Sequence, residues 1–155
     1  MLEKLFGLSS DPMTVDEFWQ IFGLYGENKD KEAKKLTRGR KKAYSKHFDD
    51  MLETAHNWDL WGAAYIIYGG CGDDSFADFK GGLLLQGRKI FEAVLNDPEC
   101  LVELSNQIDL SKLQSQEFGS SGTKEPTGAP WEEGDLETRF PRLWAKFGEN
   151  PIDPE

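Results

Sequence analysis

The sequence predicts an all-α protein: a single-domain helical bundle of five to seven helices, with a long Gly/Ser-rich loop before a C-terminal helix. Three observations carry this. Apolar residues recur at spacings of three and four along most of the first hundred positions. No run before residue 110 alternates as a strand does, and glycine, proline or Asp-Pro closes the periodic stretches. A chain of 155 residues with 10 Phe, 5 Trp and 4 Tyr has enough large side chains for a core that needs no disulfide or metal.

Residues 1–12 form an N-terminal tail ending at Asp11-Pro12, and the bundle core is expected over 13–110. Thr14-Val-Asp-Glu17 reads as a capping box that opens a first helix, with Phe18, Ile21, Phe22 and Tyr25 on one face and Gly26 as its stop. A second helix, interrupted at Gly39 or beginning near Arg40, carries the stripe Tyr44, Phe48, Met51, Leu52 and Ala55. His47 and His56 flank that stripe and read as helix-surface histidines, too far apart for the i, i+4 pairing of a helical metal site.

The third helix, from about Trp58 to Tyr68, is apolar nearly all round, which marks a central element. Gly62, Ala63 and Ala64 are small enough for neighbours to approach closely. Gly69-Gly70 stops it, and Asp73-Asp74-Ser75 opens the next helix, where short polar side chains cap free amides and acids suit the dipole. Phe79, Leu83, Leu84, Gly87, Ile90, Phe91, Val94 and Leu95 keep one helical face as far as Asn96. Pro98 suits the first turn of a short helix to about Asn106. Residues 111–134 are rich in Ser, Gly, Thr and Pro and read as a flexible loop. Residues 135–155 then form a docking segment, with Leu136, Phe140, Leu143, Trp144 and Phe147 at helical spacing around Pro141.

The net charge of −10 is unevenly spread. Residues 29–46 hold nine of the 18 basic groups and two acids, leaving the remainder strongly acidic. That remainder would repel a polyanion, so nucleic acid is disfavoured and a solvated helix face, or contact with the protein's own acids, is preferred. The opening MLEKLFGLSSDP lacks a basic leader and a long apolar region, and no stretch is long enough to span a membrane, so a cytoplasmic location is expected. Cys71 and Cys100 form neither a disulfide framework nor a CxxC pair and read as free thiols.

No motif requires a cofactor, a metal or a catalytic residue. The Gly69-Gly70-Cys71-Gly72 turn resembles a phosphate cradle, but Asp73 and Asp74 follow it and no P-loop lysine is present. Cys71 has carboxylates rather than a base beside it, which favours a small buried residue under the turn. Arg88 and Gln86 border the apolar stripe of the fourth helix from opposite sides. The preferred reading of Arg88 is a brace, with Asp59 or the Asp73-Asp74 pair as its carboxylate. The candidate ligand- or partner-binding residues are Trp58, Asp59, Trp61, Asp73, Asp74, Gln86 and Arg88.

The run from His47-Phe48-Asp49 through Trp58-Asp59-Leu60-Trp61-Gly62-Ala63-Ala64-Tyr65, Gly69-Gly70-Cys71, Asp73-Asp74, Phe76, Phe79 and Gln86-Gly87-Arg88 to Phe91-Glu92 resembles an uncharacterised bacterial family, domain of unknown function 4240. Phe18-Trp19 also looks like that family's opening. The resemblance covers about residues 13 to 105 and implies a bacterial, cytoplasmic, mostly helical protein with no established activity. The chain departs from the family pattern at Gly82, where a large aromatic is usual, and this departure is expected to leave space beside the helix.

The leading functional expectation is a non-enzymatic protein-binding module, immunity- or antitoxin-like, whose acidic face steers it to another protein. The alternative is a hydrolase or small-ligand site around the Gly69 to Asp74 turn, built from Asp59, Cys71, Asp73, Asp74 and Arg88.

Overall fold

The structure is a computed structural model and describes residues 13–25, 36–116 and 124–154. The tail 1–12, the Tyr25 side chain, the Gly26 stop, basic residues 29–35 and loop residues 117–123 lie outside the described residues. The fold is all-α, with eight α-helices and no strand among the described residues. The chain divides into two compact units, one up to Met51 and one from Leu52 onward.

In the first unit, helix α1 (Val15–Tyr25) is opened by Thr14, whose Oγ1 accepts the Glu17 amide at 3.1 Å. The Glu17 carboxylate reaches back to the Thr14 hydroxyl, 3.3 Å away. Phe18, fully buried, stacks on Phe22 at 5.6 Å and meets Tyr44 at 5.2 Å. Tyr44 comes from α2 (Arg38–Thr54), which starts close to the Arg40 beginning that the sequence offered and has Gly39 in its first turn. Thr37 accepts the Arg40 amide at 3.3 Å, and the buried Arg40 guanidinium pairs with Glu17. Part of the basic segment therefore contacts the protein's own acid. His47 is not a free surface group: its Nε2 lies 2.6 Å from the Met13 carbonyl oxygen.

The second unit is arranged on α3 (Trp58–Tyr68), seven of whose eleven residues are buried. Asn57 opens it by accepting the Leu60 amide at 2.8 Å. Gly69 ends it at φ +69°, a left-handed value that favours glycine, and the Gly70 amide donates to the Tyr65 carbonyl at 2.9 Å. Ile152 then donates its amide to the Ile67 carbonyl at 2.7 Å, satisfying one of the orphan groups at this helix end. Gly62 permits the close approach expected of it, since a Cβ there would lie 2.8 Å from Phe140 Cε2 and 3.0 Å from Trp131 Nε1.

Helix α4 (Asp73–Leu84) begins after Gly72, which caps without a side chain. Asp73 and Asp74 stand one and two positions too late to serve as caps, so they act on the helix dipole instead. The single helix expected through Asn96 is in fact two, α4 and α5 (Arg88–Asn96), separated by a turn at Gly87 with φ +100°. The apolar spacing continues across that turn, which is why periodicity alone did not reveal it. The space expected beside Gly82 is also absent. An added Cβ would lie 1.8 Å from the Leu113 carbonyl oxygen, so the backbone of the following segment fills the position.

A 3₁₀ turn (Pro98–Cys100), α6 (Leu101–Leu104) and a second 3₁₀ turn (Leu110–Lys112) follow, the last tied down by Tyr68, whose hydroxyl donates to the Leu110 carbonyl at 2.7 Å. A third 3₁₀ turn (Glu133–Asp135) leads to α7 (Leu136–Arg139) and α8 (Pro141–Phe147), which are separated at Pro141. Glu99 serves the start of α8 in place of a local cap, accepting the Leu143 amide at 2.8 Å. α3 packs against α8, the Pro98–Cys100 turn and α4, as a central element must.

Candidate functional site

Residues Trp58, Trp61 and Tyr65 lie at i, i+3 and i+7 and so share one face of α3. Trp58 stacks on Trp61 with ring centroids 5.7 Å apart and planes 13° apart. Trp131 arrives from the segment before α7, meeting Trp58 edge-on at 5.8 Å and Tyr65 at 5.2 Å. All four rings are half-buried, which makes them an aromatic ledge rather than core. Trp131 is fixed by its indole N–H, which donates to the Trp58 carbonyl at 2.7 Å. Thr127 exchanges backbone hydrogen bonds with His56 and Trp58 at 3.1 and 2.9 Å.

Carboxylates border the ledge. Asp59 pairs with Arg139 at 2.6 Å, and Arg139 also donates to the Ala129 and Pro130 carbonyls at 2.6 and 3.1 Å. Glu133 accepts from the Tyr65 hydroxyl, and that hydrogen bond raises the phenol's pKa. Glu132 and Asp135 are exposed beside it.

Beneath the ledge, Trp61 stacks on the buried Phe76 at 4.9 Å, and its indole donates to the Cys71 carbonyl at 2.7 Å. Next to Phe76 lies Lys80, only 1% exposed, with Nζ 4.8 Å from the Phe76 ring centre. Among the described residues its hydrogen-bond partner is His56 Nδ1, 2.9 Å away. His56 Nε2 lies 2.9 Å from the Lys124 carbonyl oxygen. A carbonyl only accepts, so Nε2 carries the proton and Nδ1 offers its lone pair to Lys80. Burial lowers the Lys80 pKa to about 8. Burial also lowers that of His56; the Lys124 carbonyl opposes this shift, the Lys80 cation reinforces it and Asp73 opposes it. Lys80 was not singled out from sequence, and His56 was read there only as a helix-surface histidine. The available signal was Lys80 itself, a lone cation on the apolar face it shares with Phe76, Leu83 and Leu84.

Of the residues chosen from sequence, Trp58, Asp59 and Trp61 come together, and Asp73 and Asp74 lie exposed in the first turn of α4. The brace expected of Arg88 does not form with Asp59. Arg88 is exposed and pairs with Glu92 one turn on at 3.2 Å, while the guanidinium on Asp59 belongs to Arg139. The cause is the break at Gly87, which puts Arg88 at the start of α5 and leaves Gln86 in the turn, donating to the Gly82 carbonyl at 3.2 Å. His56 lies between α2 and α3 rather than on a helix surface. Cys71 is buried, and its thiol is pushed up to about 12 by burial, with Asp73 adding to the effect. Among the described residues no three His, Cys, Asp or Glu side chains are grouped to hold a metal ion, and no helix is long and apolar enough to cross a membrane.

The chain belongs to the family described as "Protein of unknown function (DUF4240)", whose model matches residues 13–123. The α3 rings, Lys80 and His56 fall inside that span, whereas Trp131 and Arg139 lie beyond it. No curated protein and no solved structure matches the chain.

Proposed function

We propose that the protein is a non-enzymatic protein-binding module that docks a basic segment of another protein on the Trp58, Trp61, Tyr65 and Trp131 ledge. The observation that carries this is the ledge itself: four half-buried rings in mutual contact, bordered by carboxylates. Tryptophan and tyrosine dominate the energetics of protein interfaces because they bury large area at low entropic cost. The sign of the partner follows from charge, since residues 52–155 hold 19 acidic and 8 basic side chains. Such a field accelerates encounter with a cationic partner and repels an anionic one. The setting proposed is a bacterial cytoplasm, with a role like that of an immunity protein or antitoxin.

Three of the five groups that would serve a hydrolase or small-ligand site at the Gly69 to Asp74 turn are occupied or inactive, and the other two, Asp73 and Asp74, are exposed in the first turn of α4. Asp59 is on Arg139, Arg88 is on Glu92 and the Cys71 thiol is held protonated. This favours docking over chemistry at the turn. The test is capture from the source cell with the intact chain and with Trp58→Ala, followed by calorimetry on the purified partner. The expected partner carries a basic contact segment and loses about tenfold or more in affinity to Trp58→Ala, equivalent to ~1.4 kcal/mol or above. A partner held equally by both chains would overturn the assignment.

A further inference from the structure

Buried Lys80 and half-buried His56 are two basic groups facing each other with no carboxylate between them. Their hydrogen bond requires a bare Nδ1 on His56 and an N–H on Lys80, which is an ammonium below the lysine's lowered pKa of about 8. The opposite side of the same imidazole holds the Lys124 carbonyl, at the start of the segment that carries Trp131. We propose that Lys80, His56 and the Lys124 carbonyl form a proton-operated latch that fixes the 124–131 segment on α3 and is released on acidification.

The chemistry is a change of sign at one atom. A proton on Nδ1 turns an acceptor into a donor aimed at an ammonium 2.9 Å away, and the pair must separate. The charged groups around the imidazole decide whether that proton is resisted. Lys80 opposes it from α4, while Asp73 in the first turn of α4 favours it. On the other side, the Lys124 ammonium is engaged by Glu53 at the end of α2, 2.9 Å away. Trp61 and Phe76, with ring centres 6.3 and 5.7 Å from His56, supply no charge. The Lys124 carbonyl favours the charged ring, so its bond is lost only as repulsion from Lys80 moves the imidazole. With it go the bonds from the Thr127 amide to the His56 carbonyl and from the Trp58 amide to the Thr127 carbonyl. Release would then loosen Trp131, one wall of the ledge. This last consequence rests on the docking reading; the latch does not.

The experiment uses the chain alone. Proton resonances of its two histidine rings are followed from pH 8 to 5, together with hydrogen exchange at the Trp58 and Thr127 amides, corrected for intrinsic rate. In the native protein His56 should titrate below 6.5, and protection of both amides should fall by about tenfold or more as it does so. Lys80→Met removes the opposing cation, so the His56 midpoint should rise toward its ordinary value and the loss of protection should disappear. His56→Gln keeps an acceptor for Lys80 and a donor for the carbonyl without a titrating proton, and should hold its protection throughout. A His56 midpoint at or above 6.5, unchanged protection in the native chain, or the same loss in both variants would overturn the latch. No partner is present, so these outcomes are separate from the affinity lost in Trp58→Ala.

Discussion

The backbone carbonyl of Leu113 occupies the place a side chain at Gly82 would take, 1.8 Å from where its Cβ would stand. The contact is with main chain, which cannot swing aside as a flexible side chain can. Gly82→Ala should therefore destabilise the protein by ~1–3 kcal/mol, the usual cost of overpacking a filled site. Urea unfolding measures it. An unchanged midpoint would mean that the segment at Leu113 does not lie on α4. A phenylalanine at this position should prevent the segment from docking at all.

Two arginines should respond differently to truncation. Arg139→Ala removes the partner of Asp59 and leaves the Ala129 and Pro130 carbonyls without their donor, so a loss of ~1–2 kcal/mol is expected. Arg88→Ala removes an exposed i, i+4 pair with Glu92, worth ~0.5 kcal/mol or less. Thermal melting of the two variants side by side decides the matter. A larger drop for Arg88 would restore the brace that the sequence led us to expect.

What could be read from sequence and what could not divide along the range of the interactions. The core position of α3, its Gly69 stop and the separation at Pro141 rest on neighbouring residues, where the physics is local. Trp58, Asp59 and Trp61 could be grouped in advance because they sit in one short stretch. Trp131 and Arg139 meet them from more than seventy positions away, across a segment whose composition suggests only a loop. His56 and Lys80 are 24 positions apart on unlike elements, and nothing in their spacing makes them partners. The break at Gly87 was hidden for a different reason: hydrophobic period reports which face is apolar and is blind to a turn that preserves it.

The two cysteines should separate in reactivity. Cys71 is buried with its thiol raised to about 12, which leaves on the order of a thousandfold less thiolate than an ordinary cysteine at the same pH. Cys100 is half-buried, and burial raises its thiol too, with Arg142 opposing the shift. Labelling of the native chain at pH 8 with a thiol reagent should modify Cys100 first, and Cys100→Ser should remain unlabelled until denaturant is added. Rapid modification of Cys71 in that variant would revive it as a nucleophile at the turn.

Lys80→Met should stabilise the protein, and by an amount that depends on pH. The lysine pKa is lowered from 10.5 to about 8, so the folded state favours the neutral amine. Stability from this group is therefore fully present above 10.5 and is lost as pH falls toward about 8. At pH 7 the native chain holds a buried ammonium paired to an imidazole, and methionine of similar length removes that burden. The hydrogen bond to His56 is lost in exchange, so a net gain of ~1 kcal/mol is expected at pH 7. At pH 9.5 the native lysine is mostly neutral and the gain should shrink, because the cation it relieves is no longer there. Urea unfolding of both chains at the two pH values tests the difference. An effect of the same size at both would show that methionine acts through packing and that the charge on Lys80 is not what limits stability.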